Sequence, residues 1–140
     1  MAYCTEDDLL KMIPEEDLTE LTVESGEVPD SIIIADAINK ADAEIDSYLG
    51  VKYVVPISPT PDQVKALSVD LAIYHLYSRH SIMRPVRQQK YEAAVAFLKQ
   101  VTAGQAVIMG PGGEPPTVAK ELIDSSSAVR CFTRNTLTDW

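Results

Sequence analysis

Residues 31–50 read SIIIADAINKADAEIDSYLG. Ile34, Ile38, Ala41, Ile45 and Tyr48 recur at steps of four, three, four and three. Only a helix gathers such positions on one side, since a strand would alternate them between two faces. Asp36, Lys40 and Asp46 fall off that stripe and give the helix a wet side. Asp30 is placed to cap its start and Gly50 to stop it. A helix with one apolar face is not stable alone, so the rest of the chain must supply partners for it.

Downstream, VKYVVPISPTP (51–61) holds three prolines in its last six residues and reads as an extended connection. Thr60 as cap and Pro61 in the first turn open a second long helix, with Val64, Leu67, Leu71, Tyr74 and Ser78 as its inward stripe. After the link HSIMRP (80–85), Pro85 starts a third, with Tyr91, Ala94, Val95 and Leu98 inward and Gly104 at its end. Upstream, Thr5 and Asp8 form a short capping box before Leu9, Leu10 and Ile13. Pro14 ends that helix and begins another, carrying Leu18 and Leu21. Short links make sequence neighbours into spatial neighbours.

These elements predict an all-α fold, with three long helices and a short N-terminal pair forming a bundle over 1–104. The expected core is Ile34, Ile38, Ile45, Leu67, Leu71, Tyr74, Val95 and Leu98. Residues 105–140 read as a linker and an extended C-terminal arm. In it QAVIM (105–109) is a short extended piece, and GPGGEPP (110–116) is a tether without regular structure.

The net charge is −9 and is unevenly spread. Residues 1–70 hold 16 acids and 4 bases, a balance of −12; residues 71–140 hold 5 acids and 8 bases, a balance of +3. The acidic total argues against sequence-specific nucleic-acid binding. The division suits contact between unlike surfaces of like chains, or more simply solubility. Cys4 and Cys131 are too few for a disulfide framework and read as reduced thiols. No stretch has the form of a signal peptide or a membrane span, so a soluble protein inside a cell is expected.

Few residues point to chemistry. His75 and His80 are five apart, whereas a helical zinc pair needs four, and no Glu stands between them. The loop Glu24–Asp30 lacks the ligand rhythm of a calcium loop. GPGG has no Lys-Ser/Thr after it and no strand–helix context for a phosphate. No catalytic residue, cofactor or metal is expected, and the chain does not read as an enzyme.

The closing stretch AVRCFTRNTLTDW (128–140) is different. Val129, Cys131 and Thr133 alternate with Arg130, Phe132 and Arg134, the pattern of an extended segment. Arginine and aromatic residues anchor interfaces. Arg130, Phe132, Arg134, Leu137 and Trp140 are therefore the candidate partner-binding residues. Two readings stay open: they dock on another chain, or they fold back to complete the chain's own core.

The order of parts resembles the small phage neck family typified by gene product thirty-six of Mu-like prophages. The resemblance covers nearly the whole chain. It is carried by YCTEDDLLKMIPEEDLTELT (3–22), ADAINKADAEIDSYLGVKYVVPI (35–57), VKALSVDLAIYHLYSR (64–79), RQQKYEAAVAFLKQVTAGQAVI (87–108) and RCFTRNTLTDW (130–140). The most specific block is AEIDSYLGVKYVVP (43–56), through Ala43, Glu44, Ile45, Asp46, Tyr48, Leu49, Tyr53 and Pro56. The chain departs from the pattern at VESGEVPDS (23–31), where relatives often carry an Asp/Gly-rich loop. The resemblance implies a helical head–tail connector, or head-completion protein. Such a protein forms a ring-like homo-oligomer at the portal and contacts portal and tail-joining proteins. It would be found in the cytoplasm of a bacterial host during assembly and in the virion neck afterwards. The alternative from a different class is an acidic helical interaction or regulatory module without catalytic activity.

Overall fold

The computed structural model describes residues 2–82 and 84–119. Five helices follow in order: α1 (Glu6–Leu10), α2 (Glu15–Thr22), α3 (Ser31–Leu49), α4 (Asp62–Arg79) and α5 (Pro85–Thr102). The fold is all-α, a small bundle of three long helices with a short N-terminal pair.

Local chemistry sets most boundaries. Thr5 donates to Asp8 Oδ2 through its backbone N (3.0 Å) and its hydroxyl (2.9 Å), fixing the start of α1. Pro14 is the N-cap of α2. The Asp30 carboxylate accepts from Ile32 N at 2.9 Å and caps α3, while Asp30 N donates to the Thr22 hydroxyl at 3.0 Å. Asp30 thus ties the end of the Glu24–Asp30 loop to both α2 and α3. The start of α4 lies one residue beyond expectation, with Pro61 as cap rather than in the first turn. Gly104, at φ 77°, takes the left-handed conformation that lets the chain turn away after α5.

Helix α4 is the hub. It packs against α1, α2, α3 and α5. Its buried surface is therefore wider than a single stripe, taking in Val64, Ser68, Val69, Leu71, Ala72, Ile73, Leu76 and Tyr77. The expected face is corrected accordingly: Leu67 and Tyr74 are half-buried, and Ser78 is exposed. Ile34, Ile38, Ile45, Leu71 and Leu98 are core residues as expected, whereas Val95 packs on the core's edge.

The chain past Gly104 is also corrected. Ile108 is fully buried, between exposed Val107 and Met109. GPGGEPP is a closed turn and not a free tether. Gly110 N donates to Glu114 O at 2.7 Å, and Gly113 N to Gly110 O at 2.9 Å. Beyond it Val118 pairs antiparallel with Tyr53. The flanking bonds are Val54 N to Thr117 O and Ala119 N to Lys52 O, each 2.9 Å. The packed body therefore continues to Ala119, because the proline-rich 51–61 connection offers unpaired backbone that a helix face does not. No described helix is long and apolar enough to cross a membrane.

Candidate interaction surfaces

The polar groups inside the bundle form a lock for the N-terminus. Asp42 projects from the buried side of α3 and accepts from Tyr3 N at 2.9 Å and from Ser68 Oγ at 2.6 Å. Ser68 Oγ lies 3.1 Å from Cys4 Sγ. A hydroxyl has one hydrogen, and here it goes to the carboxylate, so the thiol completes the chain by donating to Oγ. Tyr3 OH bonds Asp46 and accepts from Ile57 N at 3.0 Å. Burial, with the Asp42 and Asp8 charges nearby, pushes the Cys4 thiol up to about 11. Cys4 is thus a buried, protonated thiol and not a nucleophile. Ser68 has no solvent access, so this Ser–Asp–Cys arrangement fastens Ala2–Thr5 to α3 and α4 rather than meeting a substrate.

A second group links three helices near the surface. Glu44 on α3 accepts from Tyr91 OH of α5 at 2.8 Å and lies 3.2 Å from His75 Nε2 of α4. The Tyr74 and Tyr91 rings stack with centroids 4.0 Å apart. Burial and the Glu44 carboxylate raise the Tyr91 hydroxyl to about 12, so it stays a donor. His80 points elsewhere, 3.5 Å from Arg79. Among the described residues no three His, Cys, Asp or Glu side chains converge as a metal site would require.

Asp8 is the third polar centre. It accepts from Thr5, and Lys11 and Lys65 approach it at 3.0 and 3.1 Å. Burial opposes its charge, but the two lysines and Thr5 outweigh that and hold its carboxyl well below the usual range. A carboxyl depressed on folding contributes stability above its unfolded value, near 3.9, and loses it as pH falls further. Thermal melts of wild type and Asp8→Asn should therefore differ by about 1 kcal/mol at neutral pH and converge as pH falls well below 4. A gap that stays constant down to pH 2 would refute this role.

Two outer surfaces carry opposite charge. On α2 and the following turn, Glu15, Glu16, Glu20, Glu24 and Glu27 line a groove of about 590 Å³. Where α5 begins, Arg84, Arg87 and Lys90 surround Val86, Pro85 and Met12 in a groove of about 500 Å³. Arg87 and Lys90 stand three residues apart on α5, and Arg84, three before Arg87, is its N-cap. That spacing was readable in the sequence but was masked there by the overall negative charge. The expected partner-binding residues Arg130, Phe132, Arg134, Leu137 and Trp140, with Cys131, lie outside the described residues.

The profile of the family described as "Bacteriophage Mu, Gp36" matches residues 3–125. The chain is also similar to "Mu-like prophage FluMu protein gp36" of Haemophilus influenzae, 30% identical over 110 residues, covering 76% of this chain and 74% of that protein.

Proposed function

The chain belongs to the bacteriophage Mu Gp36 family, and from that premise we propose that it is a structural assembly protein of the head–tail connector type. Copies form a ring at the portal and join it to tail-joining proteins. They do so in the host cytoplasm, and remain in the virion neck. The reading involves no catalytic step, cofactor or metal, no sequence-specific nucleic acid and no membrane. The observation that carries it is the family match, which spans the whole packed body from Tyr3 to Ala119.

The construction of the body supports this reading. The N-terminus is bonded into the core and Ala119 is bonded to Lys52, so residues 120–140 start from a fixed point on a rigid base. Arg130, Phe132, Arg134, Leu137 and Trp140 dock on the next subunit or on a neck partner. One such arm per subunit, repeated around a ring, acts through effective concentration rather than through one tight contact.

Truncation after Ala119 keeps every described contact. The shortened protein should melt within a few degrees of the full chain and yet fail to add ring density to portal particles in electron micrographs. A shortened protein that decorates portals as well as the full chain would remove the arm from the proposal. Full-length protein that never associates with portals would remove the connector role itself.

A further inference from the structure

The two charged grooves are complementary and lie on one chain. Arg84 and Arg87 meet no carboxylate among the described residues; their guanidinium groups lie over the Tyr77 ring at 5.3 and 5.9 Å. The first turn of α5 carries no acid, so the positive end of an 18-residue helix adds to the same field. Between the bases Val86 is 60% and Met12 46% exposed, an apolar floor inside a basic rim. Against a net charge of −9, such a basic patch stands out among the described residues. The outer face of α2 is its counterpart. Glu15, Glu16, Glu20 and Glu24 are exposed and none is ion-paired among the described residues, while Val23 lies half-buried between them.

We propose that the groove of Met12, Arg84, Val86, Arg87 and Lys90 seats the acidic outer face of α2 from a second copy of the chain. The inference rests on the reading that copies self-assemble, and names the surfaces by which they do. The contact is heterologous: each copy offers one groove and one acidic face, so it propagates head to tail and closes where the rotation permits. The rim charges steer the encounter and fix register, and Val86 and Met12 supply the area removed from water. An acidic face presented to another acidic face is repelled, so only the productive pairing remains.

Charge reversal tests this with full-length protein. Arg84→Glu with Arg87→Glu should weaken self-association at least tenfold in sedimentation velocity at low salt. Glu16→Arg with Glu20→Arg should do the same, and so should Val86→Asp alone. All the changed side chains except Arg87 are exposed, so melting curves should remain near wild type. Mixing the two double variants should restore association, because the unchanged face of one still fits the unchanged groove of the other and the two reversed surfaces are complementary. Wild type that stays monomeric at every salt and concentration overturns both this inference and self-assembly. Assembly that ignores the reversals, or folded variants that do not recover on mixing, overturns this interface alone and leaves the connector reading standing.

Discussion

Truncating Leu71 to alanine is expected to cost about 2–5 kcal/mol, because the removed methyl groups leave a cavity that a close-packed interior fills poorly. Leu71 has no solvent exposure, and it stands on the helix that touches the other four. For a chain of this size, each kcal/mol corresponds to roughly 3–5 °C in melting temperature. Leu76→Ala should cost about as much, since Leu76 is equally enclosed although it lies off the stripe that sequence spacing marks. Ser78→Ala, on that stripe but exposed, should change stability by less than about 0.5 kcal/mol. Denaturant melts of the three variants separate the observed face of α4 from the periodic one. A large loss at Ser78 with little at Leu76 would mean that the helix is rotated.

Removing the Asp42 carboxylate should have a comparable effect through a different cause. Asp42→Ala takes the acceptor from Tyr3 N–H and from the Ser68 hydroxyl, both of which are enclosed. Hydrogen bonds to a charged group are worth about 1.5–3 kcal/mol, and a stranded buried donor adds its own desolvation cost. A loss of about 2–4 kcal/mol is expected, with Asp42→Asn falling between alanine and wild type because its carbonyl still accepts one bond. The site of damage is specific. Amide exchange at Tyr3 and Cys4 should accelerate before that of α4 and α5, since the lost bonds are those that tie this segment to α3 and α4. If Asp42→Ala melts like wild type, or if exchange rises uniformly, the network does not fasten the N-terminus. An intact lock keeps α1 in place, and with it Met12 at the edge of the basic groove. The same variant should therefore also weaken self-association.

The local features of this chain were legible in its sequence. Helix α3 follows from a step of three and four and from the Asp30 cap, both of which depend on residues within one turn of each other. The capping box of α1, the break at Pro14 and the left-handed turn at Gly104 are of the same kind. Even Asp42 left a signal, since it stands four residues after Ile38 and three before Ile45, on the apolar side of its own helix. What the sequence could not supply was its partners, Tyr3 at 39 residues' separation and Ser68 at 26. Nor could periodicity rank the sides of α4, because a helix surrounded by four others is buried wherever they touch it, and the stripe marks only the commonest side. The turn over 110–116 reads as a linker because glycine and proline have no regular partner nearby. It is closed by its own Gly110–Glu114 and Gly113–Gly110 bonds, and the chain just after it is held by backbone groups of Lys52 and Val54 more than sixty residues earlier. Local geometry thus fixed which elements form, through bonds and periods that span a few residues. Their buried faces, the lock on the N-terminus and the opposed charged grooves were decided only when distant segments met, because desolvation and hydrogen bonding act between neighbours in space.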